Sequence, residues 1–174
     1  MNIKKIALNL LLLIVAFVIQ SSLFPLIPVL AASPNLLLIL TFSFGFIGGK
    51  ESGMFYGLIA GLFMDLFYSG PVGFYTLLFL LIGYCNGICT QYYYEEYITL
   101  PLVLSIINEF AYSMYVFVFR FLFRGKIHFG YYFMKIMLPE TIFTVVTTLC
   151  IYRVILWYSR RMQEMEKKRG STIV

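Results

Sequence analysis

Asp65 and Glu109 are the acidic residues whose surroundings could support chemistry, because each lies inside a long apolar run. Asp65 stands in "GLIAGLFMDLFYSGPVG" (57–73), and Glu109 follows Asn108 near the middle of another run. A carboxyl group in such a place could relay a proton, bind an ion, or bond two helices together. Glu109 is the best candidate for a functional polar group, with a hydrogen bond between helices as the simpler interpretation.

The position of Asp65 favours a structural role. It lies near the end of one apolar segment, and the next segment starts almost at once, at Pro71. The first amides of a helix have no partner within it, so the carboxylate could accept hydrogen bonds near Val72 and Gly73. Those bonds would fix a tight turn through Gly70. A proton or ion site would need several convergent acids nearer the middle of a membrane.

The remaining reactive side chains predict no catalytic or metal site. Cys85 and Cys89 are one helical turn apart, but no third ligand lies nearby, and His128 is distant in the chain. Together with Cys150 they are interpreted as small packing residues. No phosphate-binding loop and no nucleophile with a neighbouring base can be recognised. We expect no enzyme activity, no cofactor and no metal.

The composition identifies the class of protein. Hydrophobic residues make up 61% of the 174 residues and charged residues only 12%. A soluble domain has about a quarter of its residues charged, so an all-α integral membrane protein is predicted. The net charge of +5 does not indicate nucleic-acid binding, because the basic residues lie at helix ends and in the tail rather than on one patch.

The elements that would position the two acids are six membrane-spanning helices. Four prolines fall near the predicted helix starts, where the missing N–H costs nothing. The apolar start of the chain runs on too long for most cleaved signals and is assigned to the first span. One transmembrane domain (1–158) would precede a basic cytoplasmic tail (159–174). The predicted spans are about 5–24, 34–48, 52–68, 71–91, 101–123 and 139–158.

Basic residues near the helix ends predict the orientation. An even number of spans puts both termini on one side, and that side carries eight Lys and Arg residues against three or four on the other. Both termini are therefore predicted to be cytoplasmic. The loop around Glu95 and Glu96 carries no Lys or Arg, but acidic residues contribute little to this rule.

Small residues on the third span predict a close helix contact. Gly53, Gly57 and Gly61 follow one another at intervals of four residues and share a face with Ala60. In lipid, small residues at this spacing allow two helix backbones to approach closely. An internal helix is the favoured neighbour, and a second protein is the alternative.

The order of these motifs resembles the MreD family of rod shape-determining proteins. The resemblance rests on "VIQSSLFPLIPVLAASPNLLLIL" (18–40) and "GGKESGMFYGLIAGLFMDLFYSGPVGFYTLLFLLIGYCNG" (48–87). The resemblance is strongest over residues 15–90, and for the rest of the chain it rests on length and topology. The matching positions are Gln20 and Ser21, Pro34 and Asn35, Gly53, Gly57 and Gly61, Asp65 and Leu66, Gly70, Pro71 and Gly73, and Gly83 and Tyr84.

The resemblance implies a non-enzymatic subunit of the elongasome in the bacterial cell membrane. Such proteins bind MreC, a scaffold with one membrane helix, and work with the MreB filament and a pair of wall synthases. The family's fold is similar to the six-helix substrate-binding subunit of energy-coupling-factor vitamin transporters, a likeness that concerns architecture alone.

The leading hypothesis is thus a membrane scaffold that helps to direct lateral wall synthesis and cell shape. The alternative is a small-molecule-binding subunit of a vitamin-type transporter, which would need an outward-facing cavity lined by aromatic and polar groups. An integral membrane enzyme is the third reading, and it lacks paired acids or a nucleophile with a base.

Overall fold

The computed structural model describes residues 3–24, 33–68, 71–92, 99–121 and 129–170. Every regular element within these ranges is helical, which confirms the predicted all-α class. The elements form six continuous helical rods. Their bounds are α1 Ile3–Val18 with a π turn Ile19–Leu23, α2 Leu36–Gly48, α3 Lys50–Phe67, α4 Phe74–Ile88 with a 3₁₀ turn Cys89–Tyr92, α5 Thr99–Arg120, and α6 Phe129–Tyr132 joined by a π turn Phe133–Met137 to α7 Leu138–Gly170.

Local signals explain how the second, third and fourth helices begin. The side chain of Asn35 caps α2 by accepting a hydrogen bond from the Leu38 amide at 3.3 Å. Gly49 alone separates α2 from α3, and its φ of +83° is accessible mainly to glycine. Gly73, with φ of +100°, precedes α4 in the same way. The chain can therefore reverse direction in very few residues at both places.

The last rod begins earlier than the sequence indicated. The predicted start was Pro139, whereas helical structure begins at Phe129 and passes through the π turn Phe133–Met137. Leu138 bonds back to the Phe133 carbonyl, five residues earlier. A proline inside a helix removes one amide donor and crowds the preceding turn. The wider π turn directly before Pro139 accommodates both effects, so the proline does not mark a helix start here.

Three of the rods are long and apolar enough to cross a membrane. These stretches are Lys5–Ser22, Leu100–Arg120 and Phe129–Trp157. Helices α2 and α4 are apolar but have only 13 and 15 residues. Helix α3 has 18 residues, and Lys50, Glu51 and Asp65 interrupt its apolar character.

Helix α2 forms the centre of the bundle. All residues from Leu36 to Phe46 on α2 are buried, so this helix is covered on every side over most of its length. It contacts α1, α3, α4, α5 and α7. The closest pair of helices is α3 and α4, which pack along their whole lengths. The polar groups described next therefore lie between helices rather than on an outer surface.

Candidate functional site

Asp65 bonds the end of α3 to the start of α4. One carboxylate oxygen, Oδ2, accepts hydrogen bonds from the amides of Gly73 (2.8 Å) and Thr76 (3.0 Å) and from the Thr76 hydroxyl (2.6 Å). The other oxygen accepts from the Tyr75 amide at 2.8 Å. The carboxylate thus satisfies three backbone donors that α4 cannot satisfy itself, and its charge faces the positive end of that helix.

This arrangement differs in detail from the expected one. Gly73 donates to Asp65 as anticipated, but the further amide donors are Tyr75 and Thr76 rather than Val72. Pro71 lies in the exposed turn before α4. Gly70, the remaining residue predicted for this turn, lies outside the described residues.

A second group of polar contacts joins α1, α2 and α7. Gln20 accepts a hydrogen bond from the Leu37 amide at 3.1 Å, and its amide nitrogen lies 3.5 Å from the Asn35 side-chain oxygen. The Asn35 amide in turn donates to the Thr144 hydroxyl at 3.1 Å. Pro34, which directly precedes Asn35 in the chain, is also buried. The motif residues Gln20, Pro34 and Asn35 therefore fix the entry of the chain into α2.

Two further pairs connect α5 with its neighbours. Asn86 and Asn108 exchange amide hydrogen bonds of 2.8 and 3.0 Å between α4 and α5, and both are buried. Ser105 and Thr148 share a hydrogen bond of 2.9 Å between α5 and α7. These contacts hold α5 against helices on both of its sides.

Glu109 lies in the interior of the bundle with none of its surface exposed. Neither carboxyl oxygen has a partner in hydrogen-bonding geometry, although the Thr144 hydroxyl lies beside it. That hydroxyl accepts from the backbone amide of Asn35 and keeps its own hydrogen to donate. Glu109 is therefore an acid enclosed between α5 and α7, with the Thr144 hydroxyl as its polar neighbour.

The glycine face of α3 lies against α4. A Cβ atom added to Gly53 would meet the Gly83 carbonyl, one on Gly57 would meet the Phe79 carbonyl, and one on Gly61 would meet the backbone of Thr76. Gly45 of α2 packs against the same place, where it lies next to Gly53 and Gly83. Three helix backbones thus approach each other closely at one point, with α4 as the internal neighbour of the glycine face.

A cavity of about 560 Å³ lies at the end of the bundle opposite the start of α1 and the end of α7. The ends of α1, α3 and α5 and the starts of α4 and α7 surround it. Arg120 stands over the rings of Tyr75 (5.4 Å) and Phe74 (5.9 Å), and the Tyr132 hydroxyl bonds to the Ser113 carbonyl at 3.2 Å. The polar and aromatic residues on its wall include Gln20, Tyr75, Tyr112, Arg120, Tyr132 and Glu140.

The cysteines lie at or near the outer surface of the bundle. Cys85 and Cys150 are exposed on the outer surface of the bundle, and Cys89 is half-buried. Across the ranges that the structure covers, no three His, Cys, Asp or Glu side chains come together as metal ligands would. His128 lies outside the described residues.

A family model supplies the decisive comparison. The model of MreD, the rod shape-determining protein, matches residues 2–162 of the 174-residue chain. The chain belongs to the MreD family. No curated protein and no solved structure gave a match.

Membership of the MreD family establishes the general role. The family consists of membrane proteins that take part in determining rod shape, within the machinery that includes MreC and MreB. It is a structural family and is not known for enzymatic activity. The match extends over all six helical rods, well past the segment 15–90 on which the resemblance was strongest.

The sequence did not point to two residues of these contacts, Asn86 and Thr144. Asn86 is a single amide in an apolar segment, and its partner Asn108 lies 22 residues away on another helix. Thr144 was not singled out, although it accepts from Asn35 and lies beside Glu109. The available signal was the helical spacing of Thr144 and Thr148, which matches that of Ser105 and Glu109 on α5.

Proposed function

We propose that this chain is a non-enzymatic membrane scaffold of the elongasome, which binds an MreC-type protein and helps to direct lateral wall synthesis. The observation that carries the proposal is the use of the interior polar groups. Asp65, Gln20 and Asn86 each form hydrogen bonds to a neighbouring helix. A bundle held together in this way offers a fixed outer surface, which is what a scaffold requires.

The outer surface of the bundle is apolar enough to receive a partner's membrane helix. On α5, Ile107 is 56% and Phe110 48% exposed. On α1, Leu11 is 53% exposed, and on α7, Val146 is 54% exposed. In lipid such side chains can contact either acyl chains or another helix by van der Waals packing. The MreC-type partner with its single membrane helix would bind along one of these faces.

The topology that we propose has six spans with both termini in the cytoplasm. The six rods, the excess of Lys and Arg near the termini and the short reversals at Gly49 and Gly73 support it. We also propose that the arrangement is of the type found in the substrate-binding subunits of energy-coupling-factor transporters. Cysteine labelling from outside the cell tests the topology, with Lys5→Cys expected to be protected and Val72→Cys accessible.

Photo-crosslinking tests the scaffold function and finds the contact face. A photoreactive amino acid is placed in turn at Leu11, Ile107 and Val146, in cells that express the tagged chain at its normal level. We expect one of the three faces to give a crosslink to the MreC-type protein and the others to give none. The tagged chain is also purified from membranes that contain the MreC-type protein and the wall-synthesis components. The proposal would be contradicted if none of these proteins co-purified with it.

A second candidate function has one observation in its favour. A small-molecule-binding subunit needs a cavity lined by aromatic and polar groups, and the cavity beside Arg120 and Tyr75 has such a lining. Its volume of about 560 Å³ falls within the range of ligand pockets. Co-purification of an ATPase pair with its membrane coupler would favour this candidate over the scaffold.

A further inference from the structure

An apolar groove lies next to the cavity near Arg120. The groove has a volume of about 750 Å³ and lies between α1 and α3 on the outer surface of the bundle. Tyr68 lines both spaces. On α1 the wall passes from Gln20, in the cavity, to the adjacent Ser21, in the groove. A polar compartment and an apolar one thus lie side by side, with Tyr68 between them.

The two compartments differ sharply in chemistry. Among the described residues that line the cavity, Arg120 is the cationic side chain and Glu140 the acidic one, and tyrosines lie between them. The groove is lined mainly by apolar side chains, including Ile14, Phe17 and Val18. Phe17 packs against Phe63 and Phe67 of α3 at ring distances of 5.6 and 4.9 Å, and all three rings line the groove. A ligand that fills both compartments must have a polar head and an apolar chain.

We infer that the cavity and the groove together bind one phospholipid with a zwitterionic headgroup. Its phosphate lies at Arg120, its ammonium group lies at Glu140, and one acyl chain runs along the groove past Phe17 and Val18. The opposite charges of the two side chains match a headgroup that carries both charges, whereas a phosphoglycerol headgroup offers Glu140 no cation. Guanidinium groups bind phosphate through charge-assisted hydrogen bonds, which supplies the strength of this contact.

The exposure of the groove favours a lipid over a water-soluble ligand. Val18 is 51% and Phe67 69% exposed, so the groove faces the hydrocarbon region that a membrane protein meets. A soluble vitamin-like molecule would occupy the cavity and leave the groove to bulk lipid. The inference is independent of the proposed scaffold role, since lipid binding can be measured on the purified chain without any partner.

Native mass spectrometry from nanodiscs tests the inference. The protein is reconstituted in an equal mixture of phosphatidylethanolamine and phosphatidylglycerol with identical acyl chains. The lipids that stay bound to the protein after its release from the nanodisc are then counted. We expect one retained lipid per chain, with phosphatidylethanolamine preferred by about tenfold. Equal retention of the two lipids, or retention of a water-soluble molecule with no lipid, would overturn the inference.

Substitutions test the contact with the lipid headgroup and the contact with the acyl chain separately. Arg120→Gln should lower retention of both lipids by about tenfold or more. Glu140→Gln should reverse the preference, because phosphatidylglycerol no longer meets a negative charge. Val18→Trp should reduce retention of every lipid by filling the groove. Arg153→Gln, Glu51→Gln and Val154→Trp are the matched controls, since these exposed positions lie away from both compartments.

Each variant is first compared with the original chain by its elution volume and melting temperature in detergent. If Arg120→Gln fails to fold, the reversal of preference in Glu140→Gln decides the headgroup assignment. An unchanged preference in a folded Glu140→Gln variant, or unchanged retention in a folded Val18→Trp variant, would contradict the inference.

Discussion

Gly53 of α3 and Gly83 of α4 face each other so closely that a Cβ atom on either would meet the carbonyl oxygen of the other. Gly45 of α2 lies against the same point. In lipid, burial of apolar surface does not drive helices together, and the van der Waals packing that close backbone approach allows is one of the forces that do. The contact therefore sets the separation of the central helices, on which the cavity and the polar pairs depend.

Gly53→Ala and Gly83→Ala should each reduce the stability of the bundle. The added methyl group would meet backbone rather than a flexible side chain, so the helices must separate, at a cost of about 1–3 kcal/mol or more. The measurement is the melting temperature in detergent and the yield of monodisperse protein. Gly130→Ala is the control, because open space surrounds that exposed helical glycine. Equal melting temperatures for all three variants would contradict the close contact.

Asp65→Ala should lower the amount of folded protein by loosening the turn between α3 and α4. Three amides and one hydroxyl would lose their shared acceptor, and each hydrogen bond to a charged group contributes about 1.5–3 kcal/mol. Asp65→Asn should also destabilise, because its amide group would face donors at Gly73, Tyr75 or Thr76. Both are compared with Glu51→Gln, an exposed acid at the other end of α3. Normal thermal stability together with lost rod shape would instead make Asp65 a contact residue.

Asn86→Ala and Asn108→Ala should each destabilise the chain by about 1–3 kcal/mol, because the partner side chain loses both bonds between α4 and α5 while it stays buried. In Asn108→Ala the side chain of Asn86 keeps its bond to the Ile82 carbonyl, so this variant should be the milder of the two. The double variant should cost less than the sum of the two single variants. A double-mutant cycle of unfolding free energies measures this coupling. Strictly additive effects would mean that the two amides do not support each other.

Glu109→Gln should leave stability almost unchanged, and Glu109→Leu should raise it. The carboxyl oxygens are buried without a hydrogen bond, so removing them abolishes an uncompensated desolvation cost. Melting temperature and cell shape are measured for both variants. If a stable Glu109→Gln variant loses rod shape, the acid has a role in mechanism. A large loss of stability in Glu109→Gln would show that the carboxyl group forms a bond essential to the fold.

Sequence reasoning located the Asp65 contact because its partners follow it closely. A carboxylate that is separated from the next helix start by a short turn has few other donors within reach. The pairing of Asn86 with Asn108 could not be found in this way, since it depends on how α4 and α5 rotate against each other. The glycine spacing on α3 likewise predicted a contact face but did not identify α4 as its neighbour.

Pro139 illustrates a competition between two rules. Proline favours the first turn of a helix, and that rule placed the start of the last span there. Proline is also tolerated within a helix when the turn before it widens. The second rule applies here, because Phe129–Tyr132 is already helical and continues through the π turn Phe133–Met137.

The π turn sets the angular phase between the two halves of the last rod. It acts as one extra residue in a regular helix, so its deletion would rotate the segment Phe129–Tyr132 by about 100° relative to α7. Tyr132 would then leave the buried position from which it bonds to the Ser113 carbonyl. Deletion of one residue at this point would therefore rotate the first part of the last rod against α5. In a connecting loop, the same deletion would only shorten the loop.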